Sequence, residues 1–351
     1  WNPVWSPDGR YLYYASDRSG SMNLWRVPID EASGRVRGEP EPIATPSQSS
    51  GLLSVSRDGR RILYATNDGR SHLERMAFDP ESGEVSGPRA PVIEGAKLVR
   101  SAEVSPDGRA IVFDVSAPQE DLFLARPDGT DVRQLTHDLF KDRVPRWTAD
   151  GSRILFYSNR SGRFDIWSIR PDGTGLEQVT RTQGALTIAP IASPDGRRLV
   201  CGRDFRSAAA VVDLGRPLDQ RIPRPLPPAG WHGETFAANS WSPDGALLAG
   251  SVSRADGTTL PGVVLYAWKT GSYERLSDRG EIAYWLHDSR RLLVLIDGKI
   301  YLLDTRTRQS RPVLAPPPHS TFSVLSVGPD DRTLYAVRVS DEGDIWMATL
   351  N

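Results

Sequence analysis

One turn, used again and again, constrains this chain more than any other feature. Trp5-Ser6-Pro7-Asp8-Gly9-Arg10 separates two short apolar runs, Asn2 to Trp5 and Tyr11 to Ala15. It returns as Ser105-Pro106-Asp107-Gly108, Ser193-Pro194-Asp195-Gly196 and Trp241-Ser242-Pro243-Asp244-Gly245, with weaker copies at 56–59, 148–151, 287–290 and 328–331. Ser starts such a turn, Pro presets φ, Asp caps locally, and Gly accepts a backbone twist that other residues resist. The marker Asp falls at 8, 58, 107, 150, 195, 244, 288 and 330, so successive gaps are 50, 49, 43, 45, 49, 44 and 42 residues. A period of about 40–50 residues built from short strands is the signature of a β-propeller blade. One such turn would mean little; eight of them tile the chain.

The expected fold is therefore all-β: an eight-bladed β-propeller of four-stranded antiparallel blades, the last blade incomplete. It fills one domain, 1–351, with blades at about 1–46, 47–96, 97–138, 139–183, 184–230, 231–278, 279–316 and 317–351. Blade one shows the unit: strands at 2–6, 11–16, around 23–27 and near 42–45. Strand three repeats an apolar-aromatic pair, as in Leu24-Trp25, Leu122-Phe123, Ile166-Trp167, Leu265-Tyr266, Ile300-Tyr301 and Ile345-Trp346. Such aromatics most simply wedge blade against blade, and Trp5, Trp147, Trp241 and Trp285, which precede first turns, read the same way. Blade eight runs out after its third strand, so the expectation is that a segment upstream of Trp1 supplies its outer strand or that blade eight has three strands. A start without Met or signal peptide reads as a processed or excised portion of something longer.

Composition excludes several functions. Lys+Arg 43 against Asp+Glu 44 gives a net charge of −1, with no footprint for nucleic acid or an anionic membrane. The single cysteine, Cys201, forbids an intrachain disulfide and cysteine-pair metal sites, and reads as a small buried hydrophobe. No apolar run reaches membrane-spanning length, so any membrane link would run through a missing upstream helix. No G-x-S-x-G elbow, H-E-x-x-H or P-loop is present. Lys269-Thr270-Gly271 matches one β-lactamase box without its companions, and Asn159-Arg160-Ser161 fits a Ser-Asx-Arg-Ser-Gly loop better than a glycosylation sequon. No catalytic residue, metal or cofactor is expected.

The candidate site is a set of loops at the end of the propeller opposite the repeated turns. Pro227 to Phe236 is a long Gly-hinged loop with Trp231, His232, Glu234 and Phe236, the composition a binding loop needs. The other reading is an insertion whose Trp and Phe cap the core. Phe140, Lys141 and Arg143 would ring the same channel mouth, joined by Arg100 and His319 from other blades. His72, His137, His232 and His319 fall on this end too, which chance alone explains, so a top-face metal is the weaker reading. The expected partner is a protein or small molecule bound at that mouth.

The repeats resemble the TolB-like, Pro-Asp type of β-propeller over essentially the whole chain. Blade one and the stretch Arg146 to Trp167 lie close to that family's consensus. The resemblance implies a propeller that binds proteins or small ligands. Such modules form the periplasmic translocation protein TolB, the C-terminal sensor-like domains of bacterial transmembrane Ser/Thr kinases, and appendages on winged-helix regulators. Related propellers precede the catalytic domain of prolyl-oligopeptidase-type peptidases. Eight marker turns in place of six, and no N-terminal α/β domain, set this chain apart from TolB. The preferred expectation is a non-catalytic sensor or scaffold domain of a larger bacterial signalling protein, placed outside the cytoplasm. The propeller half of a peptidase, a metal-dependent propeller lyase and a cytoplasmic location are the alternatives.

Overall fold

The computed structural model describes residues 2–16, 18, 22–43, 50–67, 70–94, 99–116, 119–182, 187–202, 209–230, 234–254, 258–340 and 343–350. Among the described residues the chain is all-β, as expected: eight antiparallel sheets, seven of four strands and one of three, with one short 3-10 turn at Leu218–Gln220. Middle strands such as Ile111–Val115 and Ile154–Ser158 are buried along their whole length. They are apolar on both faces because each sheet is covered on both sides.

The repeated turn folds as its residues demand. In the copy at 105–110, Ser105 Oγ donates to Asp107 Oδ1 at 2.6 Å, and the amide of Ala110 donates to Ser105 Oγ at 2.9 Å. Gly108 closes the turn at φ 71°. Thr148–Asp150, Ser193–Asp195 and Ser242–Asp244 repeat the hydroxyl–carboxylate bond at 2.5–2.6 Å. In the weaker copies, Ser289 and Asp331 take the left-handed position at φ 53° and 57°.

The residues divide into two compact units, 1–70 with 340–351, and 71–339. The larger unit is a closed ring of six blades. The first five span 99–134, 142–178, 188–225, 235–277 and 282–314, and each is four strands in simple order. The sixth combines Ser320–Val327 and Thr333–Ser340 with Arg70–Phe78 and Val85–Ile93. Neighbouring blades pack on one another in order, and Ser320–Val327 packs beside Val99–Val104, which closes the ring. Leu73, with Tyr335 and Val337, shares a core with Val99, Phe113 and Phe123, while Met76 and Phe78 pack with Phe322, Leu325 and Leu334.

This pairing corrects two expected blades. The stretches 47–96 and 317–351 exchange partners: Arg70–Phe78 leaves Arg61–Asn67 and joins Thr333–Ser340, and Gly343–Thr349 joins Arg61–Asn67 instead. The strand that latches the ring therefore comes from within the chain, not from upstream of Trp1. The physical reason is burial: the latch inserts Leu73, Met76 and Phe78, all nearly inaccessible, and removes the open sheet edges of the ring.

The smaller unit holds a four-stranded sheet, Val4–Trp5, Tyr11–Ser16, Asn23–Pro28 and Glu41–Pro42, and the three-stranded sheet of Ser50–Val55, Arg61–Asn67 and Gly343–Thr349. Tyr13, Leu24, Leu53, Ile62 and Tyr64 form its core. Here the wedge expectation fails in part. Ile345 and Trp346 lie on the edge strand and are exposed, as is Trp5, whereas Trp147, Trp241 and Trp285 are buried within the ring.

Candidate functional site

The six inner strands of the ring all end in repeated turns. The opposite, connector end carries the links into each inner strand, and the site lies there. The link 137–141, between the outer strand of the first blade and Asp142–Trp147, is held from three sides. Asp138 Oδ1 accepts the Phe140 amide at 3.0 Å, Gln119 Nε2 donates to the Phe140 carbonyl at 2.7 Å, and Asn159 Oδ1 accepts the Lys141 amide at 2.8 Å. Arg160 clamps it from below: Nη1 donates to Asp138 at 2.9 Å and Nη2 to both oxygens of the buried Asp142 at 2.6 and 2.7 Å. Arg160 also stacks over Phe140, Phe156 and Trp167. The Ser-Asn-Arg-Ser-Gly loop is thus an internal brace. What the pinned link offers outward is Leu139, 92% exposed, and Phe140, 40% exposed.

Beside them, three cations share one carboxylate. Arg143 bonds both oxygens of Glu120, Arg100 Nη1 lies 3.2 Å away and Lys141 Nζ 3.5 Å. Burial pushes Glu120 up, but Arg143, Arg100 and Lys141 overrule it and hold the carboxyl below its ordinary value. Arg143 is mostly covered and packs on Phe164, whereas Arg100 and Lys141 are 38% and 39% exposed along their side chains. Behind the cluster, Asp114 is buried, accepts the Ser101 amide at 2.9 Å and is pushed up by its burial. Three cations against the single carboxylate of Glu120 leave positive charge on the exposed Arg100 and Lys141. Val144, next to Arg143, has φ 50°, costly for a β-branched residue. Leu52 and Ala189 repeat this inside other inner strands, so it belongs to the fold and not to the site alone.

The other sequence candidates separate. Phe236 is a core residue: it is the second residue of the strand Thr235–Trp241, pairs with Val252, is 2% exposed and packs on Tyr273 and Tyr266. Its place in the alternation of Thr235–Trp241 sends it inward, so it leaves the candidate set. Glu234 is mostly covered, with Arg275 at 3.8 Å. His319 is exposed in a turn at φ 59° and shares no hydrogen bond or ion pair with the Glu120 cluster among the described residues. Trp231 and His232 lie outside the described residues. Arg100, Phe140, Lys141 and Arg143 do come together. Leu139 and Glu120 were missed, although an apolar pair between charged residues in a connector was the available signal. Among the described residues, no group of three or more His, Cys, Asp or Glu is placed to hold a metal.

A closed ring of antiparallel four-stranded blades, each turned by a Pro-Asp type loop, defines a β-propeller. Residues 85–220 match the family model of the TolB beta propeller domain. The protein TolB homolog of Chlorobium luteolum is 36% identical over 104 residues, 28% of this chain and 23% of that protein. Dipeptidyl-peptidase 5 of Porphyromonas gingivalis is 24% identical over 292 residues, 66% of this chain and 42% of that protein. A solved chain of a nidogen/laminin complex shares the fold, with a TM-score of 0.53 at 11% identity, covering 77% of this chain and 98% of that one. The chain is similar to the TolB-like β-propellers over these stretches, and its matches span less than half the length of these curated relatives.

Proposed function

We propose that the ring is a recognition module that catalyses nothing itself and binds an acidic protein segment at its connector end. The observation that supports this reading is the pairing of a pinned, outward-facing Leu139-Phe140 with the Arg100, Lys141 and Arg143 cluster. Rigid apolar anchors ringed by charge are what protein interfaces concentrate their energy in, and preorganisation lowers the entropy cost of association. A partner carboxylate would add to Glu120 on the exposed sides of Arg100 and Lys141. The sequence resemblance favours the sensor or scaffold part of a bacterial signalling protein of Ser/Thr kinase type, outside the cytoplasm. Selection of displayed peptides against the whole chain tests the binding claim. Enriched peptides should combine Asp or Glu with Leu, Phe or Trp, and Leu139→Asp and Lys141→Glu should each weaken them about tenfold or more. Enriched peptides without acidic residues, or indifferent to both substitutions, would overturn it.

A second reading has its own support. The likeness to dipeptidyl-peptidase 5 runs over 292 residues, so the propeller part of a peptidase is the alternative. A G-x-S-x-G domain in the same polypeptide would favour it; a kinase domain joined to a membrane helix would favour the sensor.

A further inference from the structure

The turn end of the ring holds a cavity of about 510 Å³ to which all six inner strands contribute. That is the size of small-molecule sites. Its wall is apolar, with Trp147, Trp241 and Trp285 at one position in three different blades. Its polar groups come from facing blades: Glu103 from the first, Arg146 from the second, Asn239 from the fourth, and Tyr284 with His287 from the fifth.

The donors there are underused. Arg146 has five N–H groups, and its hydrogen bonds are one to Glu103 and one to the Tyr284 hydroxyl, both at 3.4 Å. That is the outer limit of a hydrogen bond. Its guanidinium also lies over the Tyr284 ring, 5.5 Å from the centroid. Glu103 is turned elsewhere: one oxygen accepts the Trp147 amide at 2.5 Å, and its carbonyl accepts the Trp147 indole at 3.2 Å. Asn239 accepts the Ala283 amide through its oxygen at 3.3 Å, which leaves the NH₂ as its donor. Ser240 is not available as a nucleophile, since its hydroxyl donates to the Ala283 carbonyl and accepts the Trp285 amide. Burial also pushes Glu103 up against the pull of Arg146.

We infer that this cavity binds a small carboxylate carrying a flat or apolar body, with the carboxylate on Arg146 and Asn239 and the body among the three tryptophans. A loosely held guanidinium and an amide donor lining the same cavity call for an anion that supplies two acceptors. Indole walls call for a ring or branched aliphatic group. A free organic acid and the C-terminus of a peptide share this chemistry. No bond is made or broken, and the site is separate from the connector-end surface.

The probes are N-acetylphenylalanine, its uncharged amide, and a pentapeptide ending in phenylalanine as free acid. Binding to the whole chain is followed by tryptophan fluorescence and calorimetry at millimolar concentrations. The acids should bind saturably and the amide about tenfold more weakly. Arg146→Gln should erase that preference while Arg216→Gln, on the exposed surface of the third blade, keeps it. Because Arg146→Gln alone leaves Glu103 without its charged partner, the double variant Glu103→Gln, Arg146→Gln removes both charges and should fold yet show no acid preference. Tighter binding of the pentapeptide marks a chain terminus as the occupant; tighter binding of the single amino acid marks a free acid. No acid preference in the unmodified chain, an acid preference that survives the double variant, or loss of it in Arg216→Gln would each overturn the inference.

Discussion

The two ends of the ring treat their carboxylates in opposite ways. At the turn end, Asp107, Asp150 and Asp195 stand in water, and each accepts a Ser or Thr hydroxyl and a backbone amide. Those bonds hold their pKa values below the ordinary 3.8. At the connector end, Asp114, Asp121 and Asp142 are buried, and burial pushes all three up, Asp121 to about 6. One end is built for uniform, local stability. The other holds costly buried charge, and buried charge away from turn chemistry accompanies binding surfaces more often than chance placement would. The lesson is that identical blades can carry unequal ends, because turns are set locally and connectors are free to vary.

The largest effect should come from the connector end. Asp142→Ala leaves Arg160 covered without its bidentate partner. Breaking such a buried pair costs about 3–5 kcal/mol, which calorimetry should read as a fall in Tm of roughly 10 °C. A fall no larger than that of a turn Asp would erase the asymmetry.

The next effect has the opposite sign. Asp121 binds its proton more tightly folded than unfolded, so its contribution to stability falls as pH rises from about 4 to about 6, and its charge is a burden above that. Asp121→Asn keeps one acceptor oxygen for Gln134, with its NH₂ turned to the Thr136 hydroxyl, and should stabilise the ring at pH 7 by about 1–3 kcal/mol, with no gain at pH 4. Equal Tm values at pH 7 would contradict it.

At the turn end, Gly108→Ala forces a side chain onto φ 71° and brings a Cβ within 3.1 Å of Pro329. The expected loss is about 1–2 kcal/mol at any pH, read by urea unfolding.

The smallest effect on stability comes from His287, whose ring Nδ1 lies 2.7 Å from Asp331. The Asp331 bond raises its pKa above 6.5, so its contribution is full below pH 6.5 and disappears as pH rises through the folded value. His287 is half exposed, so screening keeps this below about 1 kcal/mol. His287→Gln should cost stability at pH 5.5 and nothing at pH 9; a loss of equal size at both would rule the pair out.

The same asymmetry explains what the sequence disclosed. The turns were legible because Ser, Pro, Asp and Gly act through bonds two to five residues long, and they located all eight first hairpins. Strand membership was not: Arg70–Phe78 and Gly343–Thr349 have similar apolar content, and only the total burial in the ring decides which joins which sheet. Phe236 looked like a loop anchor because Gly230, Gly233 and Pro residues precede it, yet the strand starts one residue earlier and its alternation turns the ring inward. Arg100, Lys141 and Arg143 were found as charges near a mouth. Glu120, which gathers them, sits in a different loop of the first blade, 20 or more residues from the two link cations.

Hydrogen–deuterium exchange of the whole chain, with and without a selected acidic peptide, tests the central claim most directly. Binding at the connector end predicts slowed exchange at 119–121 and 137–143, and unchanged exchange at the turns 105–110 and 193–198. Leu139→Asp should remove that protection while leaving stability within about 0.5 kcal/mol. Protection confined to the turns, or to neither end, would contradict the account.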